Sequence, residues 1–245
     1  MRPAKGTFSL AGLLRLIAVA AVLLAFGGAA WRYYDGIWSH VAHLQFQGRM
    51  KQTALGLHNY LDTYGTMPPT GSPSSAEPIC SWRVSAMPFM EQQAFFAAYR
   101  QDLPWNDPTN DALCRSQVRN IFSHTRHRNV HDQCTNIIAV TGPGTIWPPE
   151  GPRSFSDVTD DHDSTIILVE IARSDIAWHE PRDIDIAEVS FVGGPGLRRI
   201  GGHRPGGAHV VTANGQVRFL PDSTPPETLR AMLTIAGGED VPELK

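Results

Sequence analysis

The feature that most constrains this chain is an apolar segment near its start. Residues 11–31 read AGLLRLIAVAAVLLAFGGAAW, and Arg15 is the single charged residue among them. An α-helix rises 1.5 Å per residue, so about twenty residues match the roughly 30 Å hydrocarbon core of a bilayer. The sequence therefore predicts a transmembrane helix over residues 11–31, with the lipid bilayer as its partner.

Charges and aromatic rings at the two ends of this segment predict its orientation. Arg2, Lys5 and Arg15 lie on its N-terminal side, and an excess of basic residues marks the cytoplasmic side of a membrane helix. The other end carries aromatic residues typical of the membrane–water interface, namely Trp31, Tyr33, Tyr34 and Trp38. We therefore expect residues 1–10 in the cytoplasm and the later residues outside it, in the periplasm or cell envelope.

A cleaved signal peptide is the alternative interpretation of the same segment. The small residues at positions 27–30, Gly-Gly-Ala-Ala, are of the kind that a signal peptidase accepts. However, the apolar run is longer than the core of a usual signal peptide, and a second helical pattern follows it directly. An uncleaved anchor is therefore the preferred interpretation.

The charge balance argues against two classes of partner. The chain has 21 basic and 24 acidic residues, for a net charge of −3. It therefore has neither the basic surface that nucleic acid requires nor a polybasic patch for anionic lipid. We expect no nucleic-acid partner.

A second helical pattern follows the anchor. Apolar residues recur at spacings of three and four, at Met50, Ala54, Leu57, Leu61 and Tyr64. This periodicity predicts a helix with one apolar face that packs on a core. We expect a helical stalk over residues 32–65, ended by Gly65 and the two prolines that follow it.

The remaining residues, 66–245, predict strands and short helices. Runs that are β-branched or alternating predict strands at Thr135–Val140, Thr165–Glu170, Ala208–Ala213 and Gln216–Leu220. Asn214-Gly215 predicts a hairpin between the last two strands, because both residue types accept positive φ. Short helices are expected at Phe89–Tyr99 and Thr224–Ala236. The predicted fold class is α+β: a long N-terminal helix, transmembrane in its first part, packed on an antiparallel sheet with additional short helices.

Several strings in the chain resemble the domain of unknown function 1559 family. They are GLHNYLDTYGTMPP (Gly56–Pro69), SWRVSAMPFMEQ (Ser81–Gln92), VTGPGTIWPP (Val140–Pro149), EPRDIDI (Glu180–Ile186), HRPGGAHVVTANGQVRFL (His203–Leu220) and TLRAMLTIAGGE (Thr228–Glu239). The resemblance spans about Gln52–Glu239. It implies a pilin-like fold and a pseudopilin-like role, with like subunits or components of secretion or pilus assembly as partners.

The chain departs from this family in two places. Ala11 or Gly12 stands where the prepilin-type segment has a glutamate, so a standing membrane anchor fits better than a filament subunit. The family's C-terminal signature is a histidine, nine residues, then Asp-Gly, and here Arg204 aligns with the histidine and Asn214 with the aspartate. We therefore interpret the signature as a structural motif, formed by His203, Arg204, Gly206, Gly207, Asn214 and Gly215.

One cluster has residue types that suit a metal ion. The pattern H-x2-H-x3-H-x2-C comprises His124, His127, His131 and Cys134, which are ligand types for zinc. Two arginines lie among these residues and would repel a cation, and the spacing matches no known zinc signature. We therefore expect no metal and no cofactor, and a metal-dependent enzyme is the least favoured alternative.

Two other polar groups have simpler explanations than a site. The carboxylates of Asp157, Asp160, Asp161 and Asp163 lack the spacing of a calcium-binding loop, which favours a solvated turn. A carboxylate and imidazole site is conceivable at Glu180, Asp183, His203 and Arg204. Hydrogen bonds that tie the sheet together account for the same residues, and this is the preferred interpretation.

Three cysteines fall on the predicted extracytoplasmic side, where a disulfide is permitted. The sequence alone does not choose which two of them pair; Cys114 with Cys134 is the favoured pairing, because this bond closes a loop of modest length in a segment with few apolar anchors. Because there are three cysteines, one of them remains unpaired in any case, and in the favoured pairing it is Cys80.

The sequence therefore favours a structural or interaction protein, and we expect no catalysis. The alternative is an extracytoplasmic ligand- or glycan-binding module with stacking platforms at Trp82, Trp105, Trp147 and Trp178. These side chains are core aromatics unless several are exposed on one face.

Overall fold

The computed structural model describes residues 10–70, 80–117, 121–123, 133–191, 198–202 and 204–241. The chain forms two compact units, Met1–Ala42 and His43–Lys245. The first unit contains the N-terminal part of helix α1 (Leu10–Tyr64). The second unit contains the rest of α1 and the other helices and strands.

The apolar side chains of α1 are exposed from Leu10 to Trp38. Leu23, Leu24, Phe26 and Trp31 are among them, and the helix contains a window long and apolar enough to cross a membrane. Exposed apolar surface is unfavourable in water, and a bilayer would cover it. The prediction of a long apolar N-terminal helix is thus confirmed.

In the second unit, one face of α1 is buried. Phe46, Met50, Ala54 and Leu57 belong to the same apolar cluster as inward residues of the sheet. Their spacing follows the helical repeat, so the predicted amphipathic face is confirmed. Tyr64, which the spacing assigned to this face, is 62% exposed because it lies beyond the last buried turn.

Seven short strands lie in the described part of the second unit. They are β1 (Ile137–Thr141), β2 (Ile166–Glu170), β3 (Ile184–Asp185), β4 (Val189–Ser190), β5 (Arg198–Arg199), β6 (Gly207–Thr212) and β7 (Val217–Pro221). Five of them form a sheet in the order β3-β1-β2-β6-β7, and β4 and β5 pair separately.

The five-stranded sheet is mixed rather than purely antiparallel. Strands β1, β2, β6 and β7 are antiparallel neighbours and correspond to the four predicted strands. Strand β3 adds to the edge in parallel with β1. Two residues carry too little periodicity to be recognised as a strand in the sequence, so the predicted sheet lacked β3.

Short helices surround the sheet: α2 (Trp82–Ala86), a 3₁₀ turn (Met87–Met90), α3 (Gln93–Ala98), α4 (Pro108–Gln117), a second 3₁₀ turn (Phe155–Asp157) and α5 (Pro226–Leu233). The helix predicted over Phe89–Tyr99 is interrupted, because Glu91 has a φ of 61° and ends the first 3₁₀ turn. Helix α4 was not predicted, whereas α5 lies inside the predicted range.

The sheet separates two apolar layers. Ile137 and Ala139 join the layer of α1, whereas Ile138 and Val140 join the layer of α5. Strand β2 changes this alternation at a register shift between Ile166 and Leu168. A bulge of this kind directs two consecutive side chains to one face. Glu170, the polar residue that ends β2, is thereby placed on the α1 side of the sheet.

A buried ion pair joins α2 to the sheet. The side chains of Arg83 and Asp183 are both 0% exposed and contact each other directly. Arg83 also donates two hydrogen bonds to the carbonyl of Ile137, at 3.2 and 3.0 Å. Asp183 accepts from the indole N–H of Trp82 at 3.0 Å and from the backbone N–H of Ala139 at 2.8 Å. Because both charges are hydrogen-bonded as well as paired, the network stabilises one arrangement of α2 on the sheet.

We expect Arg83→Met to lower the free energy of unfolding by about 3–5 kcal/mol, because it leaves the carboxylate of Asp183 buried without its cation. The double variant Arg83→Met with Asp183→Asn should lose less of the free energy of unfolding than Arg83→Met alone, because it leaves no unpaired charge buried. Chemical denaturation followed by circular dichroism measures both.

Asp102→Asn is the matched control, because the pair of Arg100 and Asp102 is 57% and 61% exposed. Exposed pairs add little to stability, so no measurable change is expected. A similar loss of stability in Arg83→Met and in Asp102→Asn would contradict the claim that burial makes the first ion pair important.

Candidate functional site

A buried carboxylate and a buried imidazole lie between α1 and the sheet. Glu170 ends β2 and His209 lies in the neighbouring strand β6, and each side chain is 1% exposed. The Glu170 Oε2 atom lies 2.8 Å from the His209 Nδ1 atom and accepts the backbone N–H of His209 at 2.8 Å. An ionised carboxylate only accepts hydrogen bonds. With Glu170 ionised, the proton in this contact lies on Nδ1 of His209.

Helix α1 completes the surroundings of this imidazole. The Gln47 Nε2 atom is 3.0 Å from the His209 Nε2 atom, and the ring of His43 packs at a centroid distance of 4.5 Å. The ring of Phe219 on β7 meets the imidazole edge-on at 5.5 Å. With a proton on Nδ1, the Nε2 atom of His209 accepts the N–H of Gln47. His209 thus links β2 to α1.

Glycines make room for this cluster and for the strands that hold it. A Cβ atom on Gly202 would lie 2.5 Å from the Glu170 Oε2 atom. A Cβ atom on Gly207 would lie 2.2 Å from the carbonyl oxygen of Leu220 and 2.8 Å from the ring of Phe219. Gly207 is therefore required by the close approach of β6 and β7. The preceding Gly206 has a φ of 91°, in the left-handed region.

The Asn-Gly turn of the C-terminal motif joins β6 to β7. The Asn214 Oδ1 atom accepts hydrogen bonds from the hydroxyl of Thr212 at 2.6 Å and from the N–H of Gln216 at 3.1 Å. Gly215 has a φ of 80°, and a Cβ atom there would lie 3.0 Å from the His58 Nε2 atom of α1. The turn therefore lies against α1; the positive φ at position 215 favours glycine, and a Cβ atom there would be in tight contact with His58.

The carboxylate and imidazole residues considered in the sequence do not assemble into one site. Asp183 pairs with Arg83, and Glu180 pairs with Arg182. The guanidinium of Arg204 lies 4.7 Å from the ring centroid of Phe219. His203 is outside the described residues. The polar pair that the structure does bring together, Glu170 and His209, was missed.

The sequence contained one signal for the missed pair. Glu170 and His209 both fall within predicted strands whose other residues are mostly apolar. A titratable residue inside such a strand needs a partner when it is buried. The partner became visible only with the strand order, since the two residues lie on adjacent strands β2 and β6.

The zinc hypothesis is not resolved by the geometry. His124, His127 and His131 lie outside the described residues, and Cys134 forms a β-bridge with Ala177. Within the parts of the chain that the structure describes, no group of three or more His, Cys, Asp or Glu residues is arranged to hold a metal ion. The expectation that these residues bind no metal therefore stays an untested prediction.

All three cysteines are free thiols in this structure. Cys114 is buried, and burial with the nearby carboxylate of Asp111 raises its pKa to about 12. Burial also raises the pKa of Cys134, with contributions from Asp175 and Glu180. Both thiols are therefore protonated and unreactive at neutral pH. The pairing of Cys114 with Cys134 stays a prediction.

The aspartates considered as calcium ligands hold turns together. The Asp157 side chain accepts the backbone N–H of Ser154 at 2.8 Å in a capping box. The Asp160 carboxylate accepts the N–H groups of Gly237 and Gly238 at 2.8 and 2.9 Å. These contacts agree with the interpretation of this segment as a turn.

The four tryptophans do not form the exposed surface that the glycan-binding alternative requires. Trp82, Trp147 and Trp178 are 0%, 2% and 4% exposed and belong to the core. Trp105 is half-buried and contacts the ring of His179. The proposed stacking platforms are therefore wrong for the three core residues.

Two further histidines are held neutral by burial. The Nε2 atom of His179 lies 3.6 Å from a carboxylate oxygen of Asp111, and its Nδ1 atom has no hydrogen-bond partner among the residues that the structure describes. Burial lowers the pKa of His179, and Asp111 opposes part of this effect. Burial likewise lowers the pKa of His58 on α1, against the carboxylate of Asp62.

We expect stability to fall with acidification because of these two histidines. In the unfolded chain they protonate near pH 6.5, whereas their folded pKa values are lower. The stability that they contribute is therefore complete above about pH 6.5 and is lost as the pH falls below it. His179→Gln should weaken the decrease in melting temperature between about pH 7 and about pH 5, as measured by thermal unfolding.

His40→Gln is the control for this pH series, because His40 is exposed. This variant should show the same decrease in melting temperature with pH as the wild type. If the melting temperature of His179→Gln falls with pH as steeply as that of the wild type, buried His179 does not cause the loss of stability in acid.

We expect Gly207→Ala to lower the free energy of unfolding by more than about 1 kcal/mol, because its Cβ atom would overlap the backbone of β7. Gly201→Ala is the matched control, since a Cβ atom there meets nothing within 4 Å. Denaturation of both variants measures the difference. Equal stability would contradict a structural requirement for Gly207.

Comparison with known families identifies a match in the first part of the second unit. Residues 44–123 match the family described as "Protein of unknown function (DUF1559)". This range includes the strings Gly56–Pro69 and Ser81–Gln92, whereas the later strings lie beyond it. No curated protein and no solved structure matched the chain. The match over residues 44–123 supports the assignment of this chain to the DUF1559 family.

Proposed function

We propose that this chain is a single-pass, membrane-anchored structural or interaction protein of the bacterial cell envelope. Its N-terminus lies in the cytoplasm and its α+β unit lies outside. The observation that supports this proposal most directly is the exposed apolar surface of α1 in the first unit, which is more stable in lipid than in water. Basic residues before the helix and aromatic residues after it support the orientation.

The pseudopilin-like part of the proposal is supported by the order of the elements. A long N-terminal helix is followed by a sheet and short helices, and the DUF1559 match agrees with the resemblance in the sequence. Like subunits or components of secretion or pilus assembly are the proposed partners. A standing anchor is favoured over a filament subunit because Arg15 would be unfavourable in an apolar fibre core.

The proposal includes no catalysis. His209 and Glu170 are the pair that most resembles an acid–base site, yet each side chain is only 1% exposed. A general base must reach a substrate proton within hydrogen-bond distance. The contacts of this pair with α1 and with neighbouring strands support a structural role instead.

We expect the full-length protein to remain with bacterial membranes after an alkaline carbonate wash, because residues 11–31 are held by the bilayer. A variant that lacks residues 1–38 should move to the soluble fraction. Protease added to intact spheroplasts should digest the α+β unit. If the protease digests the α+β unit only after the spheroplasts are lysed, the proposed orientation is wrong. If the carbonate wash removes the wild-type protein from the membranes, the proposed anchor is wrong.

Mass spectrometry of the mature N-terminus separates the anchor from the two processed forms. An intact or Met-trimmed start is expected. A start at Thr7 or Phe8 would indicate prepilin-type processing. A start immediately after Ala30 would establish the signal-peptide alternative and remove the anchor.

A further inference from the structure

We propose that the outer edge of β7 is a docking site for an extended acidic segment of a partner protein, which adds to the sheet as a further strand. Its basis is a strand edge without a further strand partner in the described part of the chain, with Arg204 and Arg218 beside it. The proposal goes beyond the envelope role, because it concerns contacts within the second unit alone and does not depend on the membrane anchor.

Strand β7 forms one end of the five-stranded sheet and pairs with β6. Two backbone hydrogen bonds fix which groups of β7 face β6. The N–H of Thr212 donates to the carbonyl of Gln216 at 3.0 Å, and the N–H of Asp222 donates to the carbonyl of Gly206 at 2.9 Å. Bonded positions alternate along an antiparallel pair. The even-numbered residues of β7 therefore bond to β6, and the odd-numbered residues face the other way.

The odd-numbered residues of β7 leave backbone groups at the open edge. Val217 and Phe219 each present an N–H and a C=O there, and these groups have no hydrogen-bond partner within the described residues. Pro221 ends the open stretch, because it has no N–H and its carbonyl accepts the N–H and the hydroxyl of Thr224 at 3.1 and 2.7 Å. An incoming strand can therefore form backbone hydrogen bonds at Val217 and Phe219.

An arginine lies on each face of this edge. Phe219 is opposite His209 and shares its α1 side, where the Arg204 guanidinium lies 4.7 Å from the ring centroid of Phe219. Arg218 is opposite Val210, which belongs to the layer of α5. Neither guanidinium has a carboxylate partner among the described residues, and the Nε atom of Arg218 is buried there without a hydrogen-bond acceptor. A carboxylate at this edge would therefore be stabilised on either face.

These charges favour an acidic partner over a second copy of β7. Guanidinium groups bind carboxylates through charge-assisted hydrogen bonds. Two β7 edges paired with each other would bring the arginines of both copies together, and like charges on neighbouring strands repel. Successive side chains of a strand point to opposite faces. A partner strand with two adjacent acidic residues therefore reaches both Arg204 and Arg218.

Binding of a labelled peptide to the full chain in detergent micelles tests the docking site. The probe is the capped peptide Thr-Thr-Val-Glu-Glu-Val-Thr-Thr, and fluorescence anisotropy measures its affinity. We expect saturable binding. The same peptide with glutamine in place of both glutamates should bind at least about tenfold more weakly, because it lacks the charge-assisted contacts. A peptide methylated on the backbone nitrogens of its central residues should also bind at least about tenfold more weakly, because it lacks donors to the edge.

Arg204→Gln and Arg218→Gln remove the two cations separately. Each variant should bind the acidic peptide at least about fivefold more weakly than the wild type does, because one charge-assisted contact is lost. Arg204 is exposed, so its variant keeps the test valid if Arg218→Gln lowers stability. Arg115→Gln is the matched control, because it removes the same charge from α4, where Arg115 is 65% exposed and pairs with Asp111. This control should keep the wild-type affinity.

Hydrogen exchange measured by NMR locates the bound peptide. At saturation, the amides of Val217 and Phe219 should gain protection, because they face the incoming strand. The amide of Arg218 should keep its exchange rate, because it already faces β6.

Four outcomes would overturn the docking site. The first is the absence of saturable binding of the acidic peptide, and the second is equal affinity for the glutamine or the methylated peptide. The third is wild-type affinity in both Arg204→Gln and Arg218→Gln. The fourth is a dimeric chain in which the amides of Val217 and Phe219 are protected without peptide, which would assign this edge to a second copy.

Discussion

Burial of one face of α1 on the sheet is the interaction on which the rest of the structure depends. Phe46, Met50 and Leu57 are fully buried, and each such side chain contributes about 1.5–3 kcal/mol relative to exposure. The polar cluster of Glu170 and His209 lies under the same face, and the Asn-Gly turn meets it at His58. One helix therefore carries both the apolar N-terminal surface and the packing face of the α+β unit.

The elements that the sequence predicted are those with local periodicity. The amphipathic part of α1, the four longer strands and the hairpin at Asn214-Gly215 all follow from spacing and turn chemistry. Strand β3, helix α4 and the ion pair of Arg83 with Asp183 did not. Strand β3 and the ion pair depend on contacts between residues far apart in the chain, and no short window of sequence contains that information. Helix α4 was missed although its start has a local signal: the Asp107 Oδ1 atom accepts the backbone N–H of Thr109 at 2.8 Å, and Pro108 is the first helical residue.

The polar site shows the same limit at the level of single residues. The glycines of the C-terminal motif were recognised as structural, and the close approach of the strands at Gly207 and the positive φ at Gly215 give the physical reason for their lack of a side chain. Glu170 and His209 look like ordinary strand residues until the order of β2 and β6 is known. A buried carboxylate and imidazole in adjacent strands then become one unit that joins the sheet to α1.

The account centres on a bilayer around residues 11–31, and a depth measurement tests this most directly. Spin labels at Ala21→Cys and Gln52→Cys, with the native cysteines replaced by alanine, are compared in liposomes. The account predicts that the label at position 21 collides with oxygen and is shielded from a water-soluble nickel chelate, and that the label at position 52 meets the chelate freely. Equal access of the chelate to both labels would contradict it.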